Sequence, residues 1–256
     1  MGEDDARTGS GDRPLVAVFR PDDDRLERAC SLLADLEVEP VPDPMLAVEP
    51  TDRHPREDAE YAILTSKTGA ELVADRGWEP HGSTLCAIGP ATAETMTEAG
   101  YDVDIVPEEY TSSGLVEYLG ENREIDGATV EVARSDHGSP VLLSGLADAG
   151  ADVHETVLYR LVRPPGSGIS VALAETRDLS AACFTSSLTV EHFLEIAGER
   201  GTTAAAVEGL ESGVVGAIGE PTRETLADHG LEADVVASEA TFETLARETV
   251  DRLRSG

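Results

Sequence analysis

The chain has 256 residues, enough for one large domain or two small ones, because domains usually run to about 100–150 residues. Two lobes is the expected arrangement. Asp plus Glu number 51 against 19 Lys plus Arg, a formal charge of -32, which excludes a face of clustered cations and with it nucleic acid or anionic lipid as a partner. Hydrophobic residues make up 40% and no apolar run approaches the roughly 20 residues of a membrane-spanning helix, so a soluble protein is expected.

The start, Met1-Gly-Glu-Asp-Asp, lacks the basic and apolar segments of a secretion signal. Cys30, Cys86 and Cys183 sit in apolar or helical contexts, so a cytoplasmic protein with buried free thiols is expected. Residues 1–13 read as a disordered tail. Val16 to Arg20 then reads as a strand ending in Arg, followed by a helix whose apolar face is Leu26, Ala29, Cys30, Leu33 and Leu36. Asp22, Asp23 and Asp24 stand at its positive N-terminal end. Val38 to Glu49 fits no helix, and its prolines allow only an edge strand or an extended connection.

Tyr61 to Val73 reads as a strand, then Thr65-Ser66, then a helix. Ala181 to Phe193 repeats the pattern through Thr185-Ser186. Ala87-Ile-Gly-Pro-Ala-Thr92, running on to Gly100, likewise matches Ala217-Ile-Gly-Glu-Pro-Thr222, running on to Gly230, and each copy continues into an acidic-apolar strand, Asp102 to Val106 and Glu232 to Val236. The copies lie 120 residues apart at Thr-Ser and 130 at Ile-Gly, so the second carries a longer connection.

A weaker repeat pairs Val16 to Arg20 with Val130 to Arg134. After the latter, Leu142, Leu143, Leu146 and Ala149 form a helix face that stops at Gly150. Val153 to Val162 is again extended and is followed by Pro164-Pro165-Gly-Ser-Gly168. Alternating strand and helix predict an α/β fold of two similar lobes, each a parallel sheet flanked by helices, joined by a two-stranded linker. The expected boundaries are 14–37 plus 165–256 for the first lobe, 51–152 for the second, and 38–50 with 153–164 for the linker strands.

In open parallel sheets, ligands bind beyond the carboxyl ends of the strands. Thr65, Ser66, Gly89, Thr92, Thr185, Ser186, Gly219 and Thr222 all fall there, at helix starts that favour anions. Ser and Thr at such positions also serve as ordinary N-caps. Lys67, the sole lysine, sits inside one Thr-Ser motif, and Arg20 and Arg134 end their strands, so these cations are candidate substrate contacts. Tyr159 lies mid-strand in the second linker segment, either as a half-buried β residue or facing a cleft between lobes. The six histidines lack metal-ligand spacing, and Gly-x-Ser-x-Gly, P-loop and Gly-x-Gly-x-x-Gly signatures are missing from the sequence. Asp136-His137-Gly-Ser139 reads as a solvated turn, since sequence neighbours do not by themselves make a triad.

Arg20-Pro21 after the first strand, two Thr-Ser strand ends, Ile-Gly-x-x-Thr twice, the Arg134 strand before Gly150-Ala151, and Val-Leu-Tyr159 occur in an order that resembles uroporphyrinogen-III synthases over about residues 14 to 253. Phe19 stands where that family usually has Thr, and Glu220 places an acid on the second Ile-Gly loop. The resemblance implies cyclisation of hydroxymethylbilane, a linear tetrapyrrole bearing acetates and propionates, with loss of water and inversion of ring D. It implies no metal and no organic cofactor, a monomer, Tyr159 as the acid, and substrate carboxylates held by the Thr-Ser and Ile-Gly loops. Diffuse acidity with almost no lysine also resembles the proteins of salt-loving archaea. The competing reading is a non-catalytic two-lobed module that binds a tetrapyrrole or small anion and does not need Tyr159.

Overall fold

A computed structural model describes residues 13–255, so the tail expected at 1–13 lies, but for Arg13, outside the described residues. The elements follow in chain order as β1 (Leu15–Val18), α1 (Asp24–Asp35), β2 (Glu39–Pro42), β3 (Ala47–Pro50), β4 (Tyr61–Leu64), α2 (Lys67–Asp75), β5 (Thr84–Ala87) and α3 (Pro90–Glu98). Next come α4 (Ser112–Asn122), β6 (Thr129–Ser135), α5 (Pro140–Asp148), β7 (Asp152–Val162), α6 (Ile169–Glu175) and β8 (Leu179–Phe184). The last are α7 (Ser187–Glu199), α8 (Thr203–Glu211), β9 (Val214–Ala217), α9 (Glu220–Asp228), β10 (Val235–Val236) and α10 (Phe242–Ser255).

The chain divides into a first unit, which runs up to Ala47 and resumes at Val162, and a second unit, Val48–Leu161. The first unit's sheet has the order β10-β9-β8-β1-β2 with every neighbouring pair parallel. Successive side chains of a strand point to opposite faces, and β1 divides its residues accordingly. Val16 and Val18 pack with Leu26, Leu33, Leu245 and Val250 of α1 and α10. Ala17 and the adjoining Phe19 pack on the other face with Val171, Phe193, Leu210 and Leu226 of α6 to α9. Phe19 stacks on Phe184 at 4.6 Å between ring centroids, so the residue that replaces the family's usual Thr is a core residue.

The second unit's sheet has the order β3-β7-β6-β4-β5, with β4–β5, β4–β6 and β6–β7 parallel. Ala62 and Leu64 face α2 and α3 through Ala70, Val73 and Met96. Ile63 faces α4 and α5 through Leu115, Leu119, Leu142 and Leu146. Burial on both faces is why these strands read as unbroken apolar runs without polar alternation. The helix expected to stop near Gly150 does so, with Gly150 at φ 91°, a conformation that glycine adopts without the steric penalty of a Cβ.

The repeat becomes a common layout. β9, β8, β1 and β2 of one sheet correspond to β5, β4, β6 and β7 of the other in the same spatial order. The correspondence extends to single bonds. Asp104 Oδ2 accepts from Leu85 N at 2.8 Å and Asp234 Oδ2 from Val215 N at 2.9 Å. The extra ten residues of the second copy divide between α7, which is longer than α2, and the connection to β9, which folds as α8.

Two expectations need correcting. The stretch 38–50 is two short strands, not one linker strand: β2 closes the edge of the first sheet, and β3 lies beside β7 in the second. Proline explains the break, because Pro40, Pro42 and Pro44 cannot donate to a continuous ladder. The chain therefore passes between units at Ala47 to Val48 and at Leu161 to Val162. The strand expected over Asp102 to Val106 shrinks to a single bridge, Cys86 to Ile105.

Candidate active site

In both sheets the strand order reverses at one point, between β1 and β8 in the first unit and between β4 and β6 in the second. Crevices at such points, beyond the carboxyl ends of the strands, are where open α/β sheets take ligands.

In the second unit, Thr65 and Ser66 follow β4 directly. Ser66 caps α2 by accepting from Gly69 N at 3.0 Å, and the same Oγ accepts the Tyr159 hydroxyl at 2.9 Å. Tyr159 sits on β7 opposite Ser135 of β6 and is only 7% exposed, with Leu64, Ala70, Ala133 and Leu158 in its cluster. The sequence left two readings open for this ring. It is a buried β residue, and its hydroxyl is tied to the Thr-Ser motif at the reversal point.

Lys67 is exposed at the first position of α2. A cation there opposes the helix dipole at a cost of about 0.3–1 kcal/mol, so helix stability does not account for it. Gly89 begins α3 in extended backbone, Pro90 follows, and no side chain caps the helix. Thr92 is buried one turn in.

In the first unit, Thr185 donates its hydroxyl to Phe19 O at 2.6 Å and so ties the ends of β8 and β1 together. Ser186 and Thr189 form a reciprocal capping box on α7. Gly219 begins α9 without a side-chain cap, and Thr222 is buried in its first turn. The four helix starts expected to bind anions therefore divide. Those at Ser66 and Ser186 are closed by their own side chains, whereas those at Gly89 and Gly219 have no side-chain cap. Glu220 is held by Arg223, whose hydrogen bond keeps the carboxyl below its ordinary range and offsets the acid on that loop.

Arg20 lies beyond β1 with its guanidinium 4.9 Å from the Phe242 ring centroid. Burial, and then the nearby Arg25 charge, lower its pKa, and its Nε is buried without a partner. Arg134 lies within β6 and is buried, with Nε donating to Glu155 Oε1 at 2.6 Å and Nη1 to Ser139 O at 2.5 Å. Its guanidinium is held between Glu155 of the neighbouring strand and the 136–139 turn. The turn itself is exposed. Asp136 accepts from Leu161 N and sits 2.8 Å from His137 Nδ1, while Ser139 caps α5, so Asp, His and Ser form no relay.

Among the described residues no group of three or more His, Cys, Asp or Glu could hold a metal, and no helix is long and apolar enough to cross a membrane. Burial raises the thiols of Cys86 and Cys183 to about 12, so neither is a thiolate nucleophile at neutral pH. The sequence reading missed Arg25 and Arg28, which line a cavity with Arg20. The available signal was three arginines within nine positions of a strongly acidic chain.

The family model described as "Uroporphyrinogen-III synthase HemD" matches residues 27–247. The chain belongs to the uroporphyrinogen-III synthase family. A relative from Methanothermobacter thermautotrophicus, provisionally named a uroporphyrinogen-III synthase, is 38% identical over 182 residues, 68% of this chain and 71% of the relative. One from Archaeoglobus fulgidus with the same provisional name is 30% identical over 186 residues, 72% and 76% of the two chains. Uroporphyrinogen III synthase of Thermus thermophilus superposes with a TM-score of 0.67 at 18% identity, covering 95% of this chain and 100% of that one. The enzyme of Helicobacter pylori does so at 0.62 and 15%, covering 93% and 99%. These two show a shared α/β fold of parallel sheets flanked by helices. The family's reaction closes hydroxymethylbilane to uroporphyrinogen III, and this chain is accordingly a cyclising lyase of tetrapyrrole synthesis.

Proposed function

We propose that Tyr159 is the acid of this cyclisation and that the residues at the carboxyl edge of each sheet hold the acidic arms of the bilane. The observation that carries this reading is the Tyr159 hydroxyl at 2.9 Å from Ser66 Oγ, beside the reversal point of the second sheet. The bilane also closes spontaneously to the type I isomer, so the enzyme must favour attack at the substituted carbon of ring D. That is work done by positioning, with the barrier lowered by orientation. The phenol donates a proton to the departing hydroxyl, which leaves as water, and the proton released on closure restores the neutral phenol. Thr65, Ser66, Lys67, Gly89 and Thr92 serve the substrate on one unit, and Arg20, Thr185, Ser186, Gly219 and Thr222 on the other. Within these sets, the uncapped starts of α3 and α9 and the cations are the anion contacts, while Ser66, Thr185 and Ser186 shape the loops. This reaction requires no metal or organic cofactor.

The acidic surface supports a second part of the proposal: the protein works as a monomer in the high-salt cytoplasm of a halophilic archaeon. At a charge of -32 it repels a polycarboxylate substrate. The Debye length falls from about 10 Å at 0.1 M to about 3 Å at 1 M salt. Affinity for the bilane therefore rises from low to molar salt, measured as KM alongside circular dichroism to separate binding from folding. A protein that stays folded at low salt and binds equally well there contradicts this.

A further inference from the structure

Tyr110 is the most exposed large hydrophobic side chain among the described residues, at 60%. Aromatic residues make up only 4% of the chain, and the other tyrosines are engaged. Tyr61 and Tyr118 pack on the buried cluster around Leu115 and Leu119, Tyr101 donates to Trp78 O at 2.8 Å, and Tyr159 donates to Ser66. Among the described residues Tyr110 joins no buried cluster, and its hydroxyl makes no hydrogen bond.

Its backbone, by contrast, is fixed. The parallel bridge of Ile105 to Cys86 carries the chain on past the carboxyl end of β5. The turn that follows is pinned by Thr111 N donating to Glu109 O at 2.8 Å and by Gly114 N donating to Thr111 Oγ1 at 3.0 Å. The internal repeat shows that this turn does not need the ring. In the first unit Thr241 N donates to Glu239 O at 2.7 Å and Thr244 N to Thr241 Oγ1 at 3.2 Å, and the residue between Glu239 and Thr241 is Ala240. Large aromatic side chains are ordinarily held by the apolar area they bury. Neither core packing nor turn geometry accounts for Tyr110.

The ring stands at the edge where substrate is expected. A Cβ on Gly89 would lie 3.2 Å from Tyr110 Cβ and 3.5 Å from its Cγ, so the glycine leaves the space that the ring borders. Glu108 and Glu109 precede it and are exposed, and they repel carboxylate arms. The group that suits this surface is therefore the flat, uncharged part of the substrate, a pyrrole, because aromatic rings favour offset-stacked or edge-to-face contact.

We propose that Tyr110 is a substrate-contact residue whose ring stacks on one pyrrole of the bilane, beside Gly89 at the carboxyl edge of the second unit's sheet. This rests on the reading of the chain as a synthase acting on a tetrapyrrole. The contact is made by the ring and not by the hydroxyl. It is made alike in the bound substrate and in the transition state, so it serves affinity and not the chemical step.

The test combines steady-state turnover of hydroxymethylbilane with fluorescence titration by uroporphyrin III, the oxidised macrocycle, on the wild type, Tyr110→Ala and Tyr110→Phe at molar salt. In Tyr110→Ala, KM should rise and uroporphyrin affinity fall by about three- to tenfold, the scale of one aromatic pair. Its kcat should stay within about twofold. Tyr110→Phe should restore both quantities, and the denaturant midpoint should be the same in all three proteins.

Unchanged KM and uroporphyrin affinity in Tyr110→Ala overturn the proposal. Equal losses in Tyr110→Ala and Tyr110→Phe also overturn it, since the hydroxyl would then be the contact, and so does a loss that accompanies a lowered denaturant midpoint, since the ring would then be structural. Uroporphyrin binding that depends on the Tyr110 ring in a protein that makes no type III product would remove the synthase reading and leave the stacking contact standing.

Discussion

Tyr159→Phe is expected to lower turnover by roughly 10²–10⁴-fold, the usual worth of a positioned acid, while leaving the fold intact. The ring contributes the burial, packed with Leu64 and Leu158, and Phe retains it. What disappears is one hydroxyl donating to Ser66 Oγ. Ser66 still caps α2 through Gly69 N, so the helix start survives the change. Losing one net hydrogen bond costs only about 0.5–1.5 kcal/mol of stability. A tyrosine hydroxyl is a hydrogen-bond donor and can donate to a leaving hydroxyl. Thr92→Val and Thr222→Val provide the contrast: each loses one of several substrate contacts, so KM rises more than kcat falls. Near wild-type turnover in Tyr159→Phe would take Tyr159 out of the mechanism without touching the family assignment.

Gly209→Ala should be the most damaging small substitution in the first unit, at the upper end of the roughly 1–3 kcal/mol typical of overpacking or beyond it. Gly209 lies in α8, and a Cβ there would fall inside the contact distance of the Ala174 carbonyl of α6. Backbone cannot swing aside as a side-chain tip can, so α6 and α8 must separate. Ala206 and Leu210 of α8 share a buried cluster with Val171 and Ala174 of α6 and would lose contacts as they part. The denaturant midpoint of the variant measures the loss, and a midpoint equal to that of the wild type would show that the two helices have room to spare. Gly120, on α4, has nothing within 4 Å of such a Cβ and makes the matching control.

The close approach of α6 to α8 illustrates what the sequence could not disclose. The repeat showed only that the second copy carries a longer connection between Thr-Ser and Ile-Gly. That this connection forms a helix packed on its neighbour through a glycine is a tertiary fact with no local signature. The strands were legible for the opposite reason. Runs such as Leu15 to Val18 and Tyr61 to Leu64 are apolar because both faces are covered, and that pattern depends on the strand alone.

The site was legible in its positions but not in its bonding. Thr-Ser and Ile-Gly fell at strand ends as the repeat implied, yet nothing in the sequence distinguished Ser66 and Ser186, which cap their own helices, from Gly89 and Gly219, where no side chain does. Arg134 shows the same limit. Its likeness to Arg20 in the weaker repeat suggested a shared role, but Glu155 on the neighbouring strand β7 claims its guanidinium. Among the described residues no carboxylate is bonded to Arg20, and its Nε is without a partner.

The central claim is that this chain imposes the type III outcome on a bilane that closes to type I unaided. Hydroxymethylbilane incubated with the protein at molar salt, with no metal or cofactor added, and then oxidised and separated by isomer, tests that directly. The account predicts predominantly uroporphyrin III, with the fraction rising with enzyme concentration. Uroporphyrin I alone, at the rate of the uncatalysed closure and from protein shown to be folded, would contradict it.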